Sequence, residues 1–253
     1  MLFRSDYENL KSQVVKWLGD YVLENPSIKA FVVGVSGGID SAVVSTLCAE
    51  TGLPTYVLSM PLYSSHDNDR LSDDHTKALE AKYPNVTRIR VELSGVYDKF
   101  VHSLSWWTDS TKYVNNNLAN ANTKSRLRMV TLYQIAGSVN GIVVGTGNKV
   151  EDYGVGFYTK YGDGGVDIAP IADLYKTEVW ELGKHLGVDE RIINAPPTDG
   201  LWDDKRTDED QIGASYAELE EAMELGTGPA VEVLKKFNAQ NKHKMVSIPT
   251  FKL

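Results

Sequence analysis

The chain has 253 residues, 42% of them hydrophobic and 24% charged, with a formal net charge of −8 and one cysteine, Cys48. That length supports one large core or two modest ones, and no run of about 18 apolar residues offers a membrane span. The acidic balance argues against a broad nucleic-acid surface, and a lone cysteine excludes an internal disulfide or a cysteine-based zinc cluster.

The first six residues lack the charged-then-apolar layout of a secretory signal, so a reduced, cytoplasmic setting is expected. Leu10, Val14, Trp17, Leu18 and Tyr21 recur at helical spacing, and Ser5-Asp6-Tyr7-Glu8 ahead of them reads as a capping box. Short β-branched runs at 31–35, 56–60, 86–91 and 142–145 read as strands. Helical patterns over 41–50, 67–83, 95–104 and 120–139 separate them, the second of these helices beginning in the acid-rich "SSHDNDRLSDD". Such alternation predicts an α/β fold with an open, mostly parallel sheet covered by helices on both faces. A glycine-rich, strand-poor stretch then runs to Pro170, and helices dominate to the end. One domain is expected, with an α/β nucleotide-binding core over 1–170 and a mainly helical extension over 171–253. The late acid runs "DDKRTDED" and "ELEEAMELG" read as solvated faces.

Residues 34–41, "GVSGGIDS", lie where the first strand turns into a helix. In an open parallel sheet that place holds ligands. Gly37 and Gly38 permit positive φ and a close approach to backbone. The amides exposed at the start of the helix favour an anion. Ser36 and Ser41 add hydroxyls, and Asp40 beside an anion makes sense if a divalent cation bridges the two. Walker A is excluded because no lysine follows the glycines, and the G-x-G-x-x-G fingerprint is absent from this turn. Glu151, just beyond another strand end, suits the same cation, and Thr146 offers a hydroxyl to a nucleotide. Lys176 opens a periodic helix against the dipole preference, which points to a ligand anion. Cys48 reads as core packing, Trp106-Trp107 as packing or an interface. His66, His75, His102 and His185 show no paired metal-ligand spacing.

"SGGIDS" resembles the SGGxDS pyrophosphate loop of the ATP pyrophosphatases, of the adenine nucleotide alpha-hydrolase type. This group includes NAD synthetase, GMP synthetase, asparagine synthetase and tRNA-thiolating enzymes. "NTKSRLRM", "GTGNKVE", "FYTKYGDGGVD", "PIADLYKTEV" and "PPTDGLWD" follow in that order, and together the series looks like NAD synthetase over nearly the whole chain. The resemblance implies a Rossmann-like fold and ATP-dependent amidation of deamido-NAD with ammonia, through an adenylated carboxylate, to NAD, AMP and pyrophosphate. It implies ATP binding by Gly34, Val35, Ser36, Gly37, Gly38, Ile39, Asp40, Ser41, Thr146, Lys176 and Thr198. Mg²⁺ would sit on Asp40 and Glu151, and deamido-NAD would meet Arg126, Lys160, Asp167, His243 and Lys244. Arg128, two residues from Arg126, projects to a different face. The segment between Glu151 and Lys160 is one residue longer than in some bacterial members. No covalent nucleophile is implied, and a homodimer is.

With Cys48 inside the ATP-binding part and the synthetase-like region starting near residue 1, free ammonia is the expected nitrogen donor, unless a separate glutaminase subunit delivers it. Two rivals are another pyrophosphate-loop enzyme, of the tRNA-thiolating or GMP synthetase kind, and a module that holds ATP without turning it over.

Overall fold

β1 (Ala30–Gly34) has four consecutive buried residues, the pattern of a strand covered on both faces. It forms the inside of a four-stranded sheet in the order β3-β2-β1-β4, in which every pairing is parallel. The structure, a computed structural model, describes residues 6–104, 117–198 and 207–252. In chain order the first part reads α1 (Tyr7–Glu24), β1, α2 (Ile39–Glu50), β2 (Thr55–Ser59), α3 (His66–Lys82), β3 (Val86–Arg90), α4 (Ser94–Ser103), α5 (Asn117–Ser138) and β4 (Gly141–Val144). A π-helix (Lys149–Val155) follows, then α6 (Lys176–Leu186), α7 (Glu190–Ile193), α8 (Asp208–Ile212), α9 (Tyr216–Leu225) and α10 (Val231–Met245). The predicted strands and sheet helices are all present, shifted by one to three residues at most ends.

Alternation within β1 sorts the two layers. Phe31 and Val33 join Leu18, Leu47, Val179 and Leu182 in a core with α1, α2 and α6. Val32 and Val143 face the other way, with Leu58, Leu93 and Ala136, towards α4 and α5. Thus α6, although beyond residue 170, covers the sheet itself. The later helices α8 to α10 pack around Val150 and Val155 of the π-helix instead, through Ile212, Tyr216 and Leu219. Cys48 is fully buried in the first core, as read from the sequence, and burial pushes its thiol well above the ordinary range. No helix among the described residues is long and apolar enough to cross a membrane.

Three local expectations are corrected. The N-cap of α1 is Asp6, whose carboxylate accepts from the Asn9 amide at 2.9 Å, in place of a Ser-to-Glu box. A short acid one residue from the first turn satisfies an orphan N–H directly. Gly38 is extended at φ −89°, and only Gly37 has positive φ. Finally, Glu220 in "ELEEAMELG" is 1% exposed and accepts from the amide and hydroxyl of Thr177 at 3.0 and 2.7 Å. The unpaired amides at the start of α6 draw this carboxylate inward. The Trp106-Trp107 pair and residues 203–206 of the acidic run lie outside the described residues.

His75 on α3 is buried against α2, with Nε2 3.0 Å from the Ser45 hydroxyl. Burial drives its pKa down to about 4, so the folded chain resists a proton that the unfolded chain accepts near 6.5. Stability is therefore full above pH 6.5 and falls as pH drops towards 4, by up to about 3 kcal/mol. Urea unfolding at pH 7.5 and 5.0 is expected to show a smaller acid loss for His75→Gln than for the parent. Equal losses would remove His75 as the cause.

Candidate active site

β1 is flanked by β2 on one side and β4 on the other, so the chain reverses its direction of strand addition between β1 and β4. That switch point opens a crevice beyond the carboxyl ends of the strands. The loops after β1 and β4 both enter it. The cleft there has a volume of about 740 Å³ and contains every site residue predicted from the sequence except Asp167.

Gly37 makes the turn after β1, at φ +92°. A Cβ there would lie 2.6 Å from the Asn68 carbonyl oxygen, so α3 closes over the loop and only glycine fits. The two serines stitch the loop: Ser41 Oγ accepts from the Ser36 amide at 3.1 Å and donates to Gly38 O at 2.9 Å, while Ser36 Oγ accepts from the Gly38 amide at 3.2 Å. Gly38 caps α2 with no side-chain bond, which leaves first-turn amides directed at the cleft.

Asp40, in the first turn of α2, meets two groups from distant parts of the chain. Its Oδ1 accepts from Asn148 Nδ2 at 3.1 Å, and its Oδ2 accepts from Lys176 Nζ at 2.5 Å. Lys176 Nζ also donates to Glu151 Oε1 at 2.9 Å. The lysine is 2% exposed. Burial alone would push its pKa down, but Asp40 and Glu151 outweigh that and hold the ammonium above the ordinary lysine range. Burial likewise works to raise Glu151, and the Lys176 charge with a hydrogen bond from Tyr216 overcomes it, leaving a carboxylate. Two carboxylates thus converge on one buried cation. The same pair, with phosphate oxygens, suits a magnesium ion.

Glu151 owes its position to an uncommon turn. Asn148, fully buried, accepts through Oδ1 from the amides of Val150 and Glu151, both at 3.1 Å, and so caps the π-helix. A π-turn holds one more residue than an α-turn, and this one spans Lys149–Val155. It also brings the Asp152 carboxylate onto Gly147, where a Cβ would come within 1.9 Å of Oδ2. Asn148 went unread in the sequence, although Asn with Glu three residues on is a capping signature.

The opposite wall is α5 with the "TKYGDGG" loop. Its glycine content would allow mobility, but the loop is tied to α5: Ser125 Oγ donates to Asp163 Oδ1 at 2.6 Å, and Thr159 Oγ1 donates to Asn122 Oδ1 at 2.7 Å. Its glycines allow this close packing. The Arg126 guanidinium donates to Lys160 O at 3.2 Å, and Arg128 binds Met60 O, also at 3.2 Å, from a different face. Lys160 Nζ reaches His243 O at 3.1 Å, while Lys244 Nζ donates to Gly156 O and Tyr158 O at 2.5 and 2.7 Å. Helix α10 therefore closes one end of the cleft through His243 and Lys244. Thr146 and Thr198 also line the cleft. Asp167 stands outside, where its carboxylate accepts from the Val143 amide at 2.7 Å and the Tyr133 hydroxyl at 3.0 Å. Among the described residues no His/Cys/Asp/Glu cluster of three or more is placed to hold a metal by itself.

A sequence profile of the NAD synthase family matches residues 10–250. The chain is similar to the NH(3)-dependent NAD(+) synthetase of Carboxydothermus hydrogenoformans, with 38% identity covering 95% of this chain and 96% of the relative. It resembles in fold the NMN synthetase of Francisella tularensis, at TM-score 0.87 and 33% identity over 98% of this chain and 99% of the other. It also resembles the NH3-dependent NAD synthetase of Campylobacter jejuni, at TM-score 0.72 and 26% identity over 98% and 99%. With its cleft, its loop and its sequence in agreement, the chain belongs to the NAD synthase family.

Proposed function

We propose that the protein is a ligase that forms a C–N bond, amidating the nicotinate carboxylate of deamido-NAD with ammonia at the expense of ATP. The observation that carries the reading is the meeting of Asp40, Glu151 and Lys176 at the end of a glycine-turned loop. A carboxylate is a poor acyl donor because its leaving group would be an oxide. Its oxygen attacks the α-phosphorus of ATP, pyrophosphate leaves, and the resulting acyl-adenylate accepts ammonia to give the amide and AMP. The protein's part is positioning and charge neutralisation.

In this reading the amides and hydroxyls of Ser36, Gly37, Gly38 and Ser41 grip the departing pyrophosphate, with Lys176 beside them. Gly34, Val35, Ile39, Thr146 and Thr198 complete the ATP site. Asp40 and Glu151 would hold Mg²⁺, and their convergence on one cation fits that role. Bound there, the ion supplies positive charge to the phosphates. Arg126, Lys160, His243 and Lys244 line the remainder of the cleft for the nicotinate nucleotide. Asp167 acts with them in the family resemblance, and its place here supports such a role only through the α5–β4 edge that it ties together.

We further propose one domain, a cytoplasmic setting and a homodimer. Val96 and Phe100 of α4 with Leu118 and Val130 of α5 are 45–59% exposed, an apolar surface suited to a second copy. Sedimentation measures that directly.

A second reading has its own support. The fold follows the NMN synthetase more closely, at TM-score 0.87, than the NAD synthetase at 0.72. Nicotinate mononucleotide presents the same carboxylate without the adenylate half. Incubation with ATP, Mg²⁺ and ammonium, with each acceptor in turn, decides between them by kcat/KM. AMP released in step with NAD supports the main reading, and a preference for the mononucleotide replaces it. No amide from either acceptor, with active ATP binding, leaves only a nucleotide-holding module. Another pyrophosphate-loop activity stands behind both, because the family match covers residues 10–250.

A further inference from the structure

Glu151 has a partner that the proposed mechanism does not use. Tyr216, the first residue of α9, is 1% exposed and donates its hydroxyl proton to Glu151 Oε1 at 2.6 Å. The residues are 65 positions apart, and the contact joins the C-terminal helices to the floor of the cleft. Packing fixes the ring: it meets Trp180 of α6 edge-on, with centroids 5.8 Å apart and planes at 85°. Its face lies 5.1 Å from the Lys176 ammonium, and the hydroxyl also sits 3.2 Å from Asp208 Oδ2. A tyrosine ring held on three sides has little rotamer freedom, so the position of its hydroxyl oxygen beside Glu151 is set before any ligand arrives. Tyr216 and Lys176 both donate to the same oxygen, Oε1.

We propose that Tyr216 is a positioning residue, which orients the Glu151 carboxylate so that a divalent cation and nucleotide phosphates find it preorganised. This rests on the reading of Glu151 as a metal-binding acid. Hydrogen-bond partners behind a metal ligand typically govern affinity by 10–100-fold. The effect belongs to the hydroxyl and not to the ring, so the two can be separated. Tyr216→Phe keeps the ring and removes the donor. Trp180→Phe loosens the ring's packing and keeps the donor.

The test is Mn²⁺ binding by electron paramagnetic resonance, with α,β-methylene-ATP present so that no turnover occurs. Tyr216→Phe is expected to weaken Mn²⁺ by about tenfold. In turnover assays the Mg²⁺ activation constant should rise similarly while kcat at saturating Mg²⁺ stays close to the parent's. Trp180→Phe, which keeps the donor, should lower the melting temperature and move Mn²⁺ affinity far less than Tyr216→Phe does. A folded Tyr216→Phe protein that binds Mn²⁺ as the parent does overturns the proposal and leaves the metal reading standing. A parent that binds no Mn²⁺ with the analogue overturns both.

Discussion

Asp40→Asn is expected to keep the fold and lose turnover by about 10²- to 10³-fold, the usual cost of removing one preorganised electrostatic group. The substitution is isosteric. An amide at position 40 keeps one acceptor, for Asn148 or Lys176, and gives up the other, while the serine bonds that shape the loop do not involve position 40 and stay in place. What disappears is one negative charge in a buried place. Lys176 then has Glu151 as its only anionic partner in the site, and a divalent ion would lose half of its protein charge. The rate of AMP release with amide formation, at saturating ATP and ammonium, measures the effect. Circular dichroism confirms folding. A rate within about threefold of the parent's would contradict the role of Asp40 in charge compensation.

The logic of the site shows why part of it could be read from sequence and part could not. Period-two and period-3.6 patterns report which residues share a face, and they placed strands and helices to within a few residues. The glycine-serine loop was legible because its chemistry is local: φ +92° at Gly37 and three short-range bonds lie within residues 36–41. Contacts across the chain leave no such periodic trace. Asn148 bridges to Asp40 over 108 positions, and Tyr216 to Glu151 over 65. Each residue taken alone looks like an ordinary cap or core aromatic.

Acid-rich segments misled in the same way. "ELEEAMELG" has a composition that suits water, yet Glu220 turns inward because Thr177 needs an acceptor. Asp167 sits in a motif that points to substrate, but the sheet edge claims its two oxygens. The glycines of "TKYGDGG" would allow mobility, and the structure uses them for close packing, a Cβ at Gly162 falling 2.3 Å from Ser125 Oγ. Charge and glycine content constrain what a segment can do, and the partner that folding brings decides which use is made of it.

Lys176→Met should have the largest effect on stability. Methionine fills much of the same space but carries no charge. Asp40 and Glu151 then face each other in a buried site with nothing between them. Breaking a buried ion pair by removing one partner costs about 3–5 kcal/mol, because a desolvated charge is left behind. For a chain of this length that corresponds to a fall in Tm of about 10 °C. Turnover should fall by about 10³-fold as the cation beside the pyrophosphate goes. The site then makes a second demand. If the lysine and a metal share the same two acids, Mg²⁺ at millimolar concentration should raise the Tm of the variant by several degrees, by binding the folded state alone. The parent, whose acids are already neutralised, should gain much less without nucleotide. Thermal melts of both proteins with and without Mg²⁺ give the answer. An unchanged Tm in Lys176→Met would show that the ammonium is not what holds Asp40 and Glu151 together, and equal Mg²⁺ gains in both proteins would place the ion elsewhere.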